Sequence, residues 1–318
     1  MNNNSSKLPI LIIAYARKAN VIRMIRKLPS TYVKKIYLAV DRINDPKLEF
    51  AQFEMIEEIR QIASENRIEF SVWFREENLG LATSMITAID WFFSLETNGI
   101  IFEDDLDFTD SFFEFSSFAL EKFQTFDDVW IVSGNNFFDE SGIYRWCTYP
   151  LIWGWATWDN RWVEMRNCIL LNSFPKISIF DSTNRFWKTG KRRAVSGKTN
   201  SWAVPLAASQ HAMRKKTLIP PFNMVTNLGD DIYSTHSNLS DWHINRGLTN
   251  NKLDLNDYGP NFSEIANCDS MLEKMVYRIQ YYSYAKFLVN FLIDFYRFRG
   301  KKSINLIDSV SKVNIPNK

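Results

Sequence analysis

The chain has 318 residues, 46% apolar and 23% charged, a globular composition with material for one large α/β domain or two modest ones. A formal net charge of +2 excludes a protein that depends on bulk electrostatic attraction to nucleic acid. Cys147, Cys168 and Cys268 match no zinc or disulfide spacing, the polar stretch from Met1 to Lys7 lacks the apolar core of a signal peptide, and no apolar run reaches membrane-span length; free thiols and a cytoplasmic location are expected.

Leu8 to Ala14 is an unbroken apolar run suited to a central parallel strand. A polar helix follows from Asn20 to Leu28, then a strand from Ile36 to Val40 that ends at Asp41. Leu48 to Ala63 is amphipathic, with Phe50, Phe53, Ile56, Ile59 and Ile62 near helical spacing. Phe70 to Phe74 is the third strand, and a helix runs from Asn78-Leu79-Gly80 to about Phe93. Ile100-Ile101-Phe102, bounded by Asn98-Gly99, is a short buried strand. This alternation predicts a mainly parallel sheet with right-handed crossovers and helices on both faces. A helix over Asp110 to Phe123 and a strand over Trp130 to Ser133 extend it. Beyond Gly134 the alternation weakens: Tyr144 to Trp162 is dense in tryptophan, and Phe186 to Lys216 is basic and helical in part. Ile219 to Val225 carries Pro220-Pro221 and reads as an edge strand or loop. Residues 271–299 read as a terminal helix, and there is no internal repeat.

Glu103-Asp104-Asp105 places three carboxylates after the Ile100-Ile101-Phe102 strand, at the sheet edge where open α/β folds bind ligands. Carboxylates so close repel one another, so the triplet is either a site for a cation or basic partner, or a solvated acidic turn. No two of the eleven glycines have G-x-G spacing, and no P-loop is present. The turn Ala14-Tyr15-Ala16-Arg17 has no glycine to cradle a phosphate, so a pyrophosphate would need a metal held by the acids, Mn²⁺ or Mg²⁺.

The motifs Ile12-Ile13-Ala14-Tyr15-Ala16-Arg17, Asn78-Leu79-Gly80-Leu81, Glu103-Asp104-Asp105-Leu106 with Ser111-Phe112-Phe113, and Trp153-Gly154-Trp155-Ala156-Thr157-Trp158 occur in that order. Over roughly residues 8–240 the chain thereby resembles bacterial nucleotide-diphospho-sugar glycosyltransferases of the GT-A fold, family 2 in kind, and more distantly N-acetylglucosaminyltransferase I. The resemblance implies a Rossmann-like mixed, mainly parallel sheet. It divides the chain into a short disordered start (1–7), a nucleotide-sugar half (8–134), an acceptor half (135–240) and a helical extension (241–318). Ala14, Tyr15 and Arg17 would line the nucleoside and phosphate site, Asp41 would accept a hydrogen bond from the base, and Asn78, Gly80 and Leu81 would close the donor pocket. Glu103 would face the donor sugar, Asp104 the ribose, and Asp105 would be the main metal ligand, with His236 reaching back to the diphosphate or metal. His211 and His243 match nothing in the family pattern and read as structural.

Trp153, Trp155 and Trp158 offer either a stacking platform for the acceptor sugar, with Gly154 allowing close approach, or a packed support beneath the site; Trp202 belongs with the acceptor residues. Inversion at the anomeric carbon needs a base. In similar enzymes an acid follows a Trp in the helix after the acceptor loop, but here Ser201-Trp202-Ala203 puts alanine there, so Asp231, beside Asp230, is the candidate. The implied reaction is transfer of a sugar from a UDP-sugar or similar donor to a glycan or lipid-linked acceptor of surface polysaccharide or lipopolysaccharide. The terminal helix would either lie on the membrane or pack against the domain. Ala203 keeps open a non-catalytic glycan-binding protein on this fold. A sugar nucleotidylyltransferase would use a Gly-rich basic first turn, which is missing.

Overall fold

The computed structural model describes residues 7–137, 144–170, 182–228, 247–249, 251, 268 and 305–316. The strands are β1 (Leu8–Ala14), β2 (Val33–Val40), β3 (Glu69–Phe74), β4 (Asn98–Glu103), β5 (Leu106–Phe108), β6 (Val129–Ser133), β7 (Arg145–Cys147), β8 (Trp155–Trp158), β9 (Lys216–Ile219) and β10 (Val225–Asn227). The helices are α1 (Lys18–Lys27), α2 (Pro46–Glu65), α3 (Leu81–Phe93), α4 (Asp110–Lys122), α5 (Asp159–Leu170), α6 (Ser182–Val195), α7 (Ala203–Met213) and α8 (Leu306–Ser311). Among the described residues no helix is long and apolar enough to cross a membrane.

Eight strands form one sheet in the order β3-β2-β1-β4-β8-β6-β9-β7. The first four are parallel, β8 runs antiparallel to both β4 and β6, and β9 is parallel to β6. The mixed, mainly parallel α/β architecture expected from the sequence is therefore present. β1 is apolar throughout because both of its faces are covered. Ile10, Ile12 and Ala14 join the core shared with α1, α2 and α4, while Leu11 and Ile13 join the core shared with α3, α5 and α8. Burying each such aliphatic side chain stabilises the fold by roughly 1.5–3 kcal/mol.

Local chemistry sets the element ends. Asp45 caps α2 by accepting from Lys47 N–H at 2.9 Å and Leu48 N–H at 3.2 Å, with Pro46 at the first helical position. Of the two readings of Ile219 to Val225, edge strand or loop, the loop holds for residues 220–224. Lys216–Ile219 is an interior strand between β6 and β7, and only at Pro220-Pro221, which bring no N–H, does the ladder stop. The terminal helix expected over 271–299 lies outside the described residues.

The acid turn rests on aromatic packing. Phe102 of β4 stacks on Phe108 of β5 at 5.0 Å, and Phe112 and Phe113 of α4 meet Phe102 at 5.7 and 6.2 Å. β5 and β10 form a separate antiparallel ribbon that pairs Asn227 with Leu106, and Leu228 N–H donates to the Asp105 carbonyl at 2.7 Å. The residues that follow the acids are thus clamped from both sides.

Candidate functional site

The carboxyl ends of β1, β2, β3 and β4 meet at one edge. Two backbone hydrogen bonds carry the ladder past the strands: Asp41 N–H to the Ala14 carbonyl and Arg75 N–H to the Val40 carbonyl, each 3.0 Å. Asp41 and Arg75 therefore stand side by side at the strand ends, 6% and 2% exposed. Asp41 Oδ1 accepts the Leu79 N–H at 3.0 Å, which ties the loop before α3 to β2. Gln52 of α2 donates to the carbonyls of Tyr15 and Asp41 at 2.7 and 2.8 Å, fixing both turns from below.

Burial pushes the Asp41 carboxyl up to about 6, against the pull of the Leu79 and Gly80 N–H groups and the Arg75 charge. The same burial lowers Arg75 to about 10, with Asp41 pulling the other way. The Arg75 guanidinium lies 3.6 Å from the Trp73 ring centroid and donates to Thr87 Oγ1 at 2.7 Å, while its Nε has no hydrogen-bond partner among the described residues. Arg75 Nη2 also donates to the Ser84 carbonyl at 3.3 Å, so the guanidinium is turned into the fold against α3 and stands behind Asp41 as its buried charge partner. Sequence reading missed Arg75. Its signal is the one that marked Asp41, a charged residue immediately after an apolar strand.

Tyr15 is 40% exposed, and its hydroxyl accepts from Asn78 Nδ2 at 3.2 Å; Asn78 Oδ1 in turn accepts the Gly80 N–H at 3.0 Å. Gly80, at φ +73°, caps α3 with Leu81 as its first helical residue. Asn200 completes this end of the helix by accepting the Ala82 N–H at 2.9 Å across 118 residues of sequence. No sequence spacing announces that contact.

Glu103 is the last residue of β4, paired with Ile13 of β1, so it belongs to the strand rather than following it. Its carboxyl is held well above the usual range by burial and then by the neighbouring Asp105 and Asp104, with Arg17 opposing. Asp104, expected to face a ribose, instead spends both oxygens on the first turn: Oδ2 accepts the Tyr15 N–H at 2.9 Å and Oδ1 the Arg17 Nη1 at 2.7 Å. Asp105 is also raised, first by burial and then by Asp104, with Arg17 and the Asn227 side chain opposing. Arg17 Nη1 lies 3.6 Å from Asp105 Oδ2, whereas Asp105 Oδ1 is buried without a hydrogen-bond partner among the described residues.

Among the described residues, no three His, Cys, Asp or Glu side chains converge as a protein-built metal cage. The orphaned Asp105 oxygen nevertheless fits a divalent cation of the Mg²⁺ kind, which commonly takes one or two carboxylates and completes its shell with water and substrate phosphates. His236, Asp230, Asp231 and His243 lie outside the described residues. His211 stacks on Tyr149 at 4.8 Å with its Nδ1 3.0 Å from Thr148 Oγ1, a packed environment.

The tryptophan run requires correction. Trp155 is 1% exposed in β8 and stacks on Trp202, 3% exposed, at 6.0 Å, so neither offers a face to a sugar. Trp158 is also buried and donates its N–H to the Leu120 carbonyl at 3.0 Å. Gly154 is not there for ligand approach either: at φ +58°, a Cβ would sit 2.9 Å from Phe102 and Val225 of the core. Trp153 alone of the run is half-buried, against Phe137 at 5.3 Å. Physically, β8 is interior to the sheet, so its indoles must pack on both faces. Ala203 opens α7 directly after Trp202, where no proton acceptor is available.

A scan against protein-family models and a search of the curated proteins both return no match. Among solved structures, the chain is similar to a UDP-glucose pyrophosphorylase complexed with UDP-glucose, at 11% identity and a TM-score of 0.40, covering 69% of this chain and 92% of that one. A likeness that slight carries no argument about activity, so the functional reading rests on the strand-end residues and the ordered motifs.

Proposed function

We propose that the chain is a metal-dependent, inverting glycosyltransferase that moves a sugar from a nucleotide-diphosphate donor to a glycan or lipid-linked acceptor of a surface polysaccharide. The observation that carries this reading is the meeting of Asp41, Arg75, Tyr15, Arg17 and the Glu103-Asp104-Asp105 turn at one sheet edge, with no glycine-rich phosphate cradle. Asp41, backed by the buried Arg75 charge, would take the base, and Tyr15 with Asn78 would cover the nucleoside. Arg17 would neutralise the diphosphate, and Glu103, whose raised proton affinity lets it donate, would hold a hydroxyl of the donor sugar.

Asp105 would hold the cation, Mn²⁺ or Mg²⁺, which offsets the charge that gathers on the departing nucleotide diphosphate. Among the chain's own residues, Asp104 locks the first turn to the acid turn and so holds Arg17 and Tyr15 in place beside Asp105. Proton removal from the acceptor hydroxyl falls to Asp231. The glycine-free first turn disfavours the nucleotidylyltransferase alternative. Transfer and hydrolysis assays with UDP-, GDP- and dTDP-sugars plus Mn²⁺, run beside a sugar-1-phosphate and nucleoside triphosphate assay, decide between them. Asp105→Asn should abolish transfer and weaken metal-dependent nucleotide binding sharply in calorimetry. Unchanged metal-dependent binding would remove Asp105 from the metal site, and turnover of the triphosphate alone would replace the transferase reading.

A further inference from the structure

Arg17 sits between two acids of the turn. Its Nη1 is 2.7 Å from Asp104 Oδ1 and 3.6 Å from Asp105 Oδ2, and the three side chains are 11%, 7% and 17% exposed. Asp104 is held from the other side by the Tyr15 N–H. The Arg17 backbone is anchored as the residue before α1, its carbonyl accepting the Val21 N–H at 3.1 Å, so only side-chain torsions are free to move the guanidinium. A divalent cation on Asp105 would lie within a few ångströms of that fixed positive charge, among side chains largely withdrawn from solvent. At such distances and low local dielectric, like charges repel strongly.

A diphosphate changes the balance, because its negative oxygens can hold both cations at once. We propose that Arg17 is a built-in counter-cation that keeps a divalent metal off Asp105 until a nucleotide diphosphate arrives, so that metal and nucleotide enter together. This rests on the transferase reading above and adds a positioning role for Arg17: it sets the order of binding and guards the acid turn against stray metal.

The test is Mn²⁺ titration without nucleotide, followed by the electron paramagnetic resonance of free Mn²⁺ and by calorimetry, on wild type, Arg17→Gln and Arg17→Lys, each checked for folding by thermal unfolding. Arg17→Gln should bind Mn²⁺ alone at least tenfold more tightly than wild type, and Arg17→Lys, which keeps the charge, should stay within threefold of wild type. Adding UDP should raise the Mn²⁺ affinity of wild type at least tenfold and that of Arg17→Gln much less. If Arg17→Gln does not fold, Arg17→Met, which keeps the packing stem, takes its place with the same expectation. A folded neutral variant that binds Mn²⁺ alone no better than wild type, while wild type still takes up Mn²⁺ with UDP, overturns the counter-cation and leaves the transferase reading standing. An Arg17→Lys that gains as much as Arg17→Gln overturns it too, since charge would not be the cause. No Mn²⁺ uptake by wild type with UDP, GDP or dTDP overturns both.

Discussion

Asp41→Asn separates what a site residue does for function from what it does to the fold. In the folded chain the Asp41 carboxyl titrates at about 6 against an ordinary 3.8, because burial disfavours its charged form. A raised acid favours folding only while protonated. Its contribution is complete below about pH 4 and is lost as the pH rises through about 6. The step from 3.8 to about 6 corresponds to a loss of about 3 kcal/mol in the wild type at neutral pH, at about 1.36 kcal/mol per pH unit. Asparagine keeps the oxygen that accepts the Leu79 N–H and never ionises, so it escapes that loss. Urea unfolding at pH 7.5 should therefore show Asp41→Asn more stable than wild type by on the order of 3 kcal/mol, and at pH 4 the two should be nearly equal. Calorimetry with UDP and Mn²⁺ at pH 7.5 should at the same time show weakened nucleotide binding. A stability gain equal at both pH values, or a loss at pH 7.5, would refute the idea that a buried charge is being held at a cost.

Four further substitutions can be checked by urea unfolding, calorimetry and transfer kinetics. Gly154→Ala should destabilise by roughly 2–4 kcal/mol in urea, since alanine at φ +58° is strained and its Cβ meets Phe102 and Val225 at 2.9 Å. Trp155→Ala should cost about 3–5 kcal/mol of stability, whereas Trp153→Ala, at a half-buried position, should cost clearly less and act on acceptor KM. Asn200→Ala should cost roughly 0.5–2 kcal/mol through the lost acceptor at Ala82 N–H. Because α3 begins at the loop tied to Asp41, that variant should also lower nucleotide affinity more than kcat.

The first half was legible because each strand there contains an apolar stretch followed by a polar residue, Ile36 to Val40 before Asp41 and Ile100 to Phe102 before Glu103, and the bounds of β1 are those its apolar run predicts. Asp41, Glu103 and the Asn78-Leu79-Gly80 loop were visible as strand ends and a helix start. Arg75 carries the same signal, a charged residue directly after the apolar end of a strand, and its neighbours Glu76 and Glu77 are charged as well, so position alone does not single it out. The second half misled for a different reason. Periodicity cannot separate an indole that packs from one that binds, and β8 lies at the middle of the sheet rather than at a rim. Partners more than a hundred residues apart, such as Asn200 with Ala82, leave no local mark at all.

The ribbon that clamps the acid turn has a bearing on how the chain is made. Asp105 is finished by Asn227 and Leu228, and Thr109 N–H pairs with the Met224 carbonyl at 3.0 Å, so the turn needs partners about 120 residues downstream. At roughly 5–20 residues per second, a ribosome takes on the order of ten seconds to supply them. Throughout that interval the nascent chain holds β1 to β4 with the rim of its Phe102–Phe108 stack uncovered and Asp105 without its downstream partners, though Asp104 already has Tyr15 and Arg17. The finished acid turn is thus a late product of synthesis, and a chain halted before residue 225 presents an apolar rim for chaperones to hold.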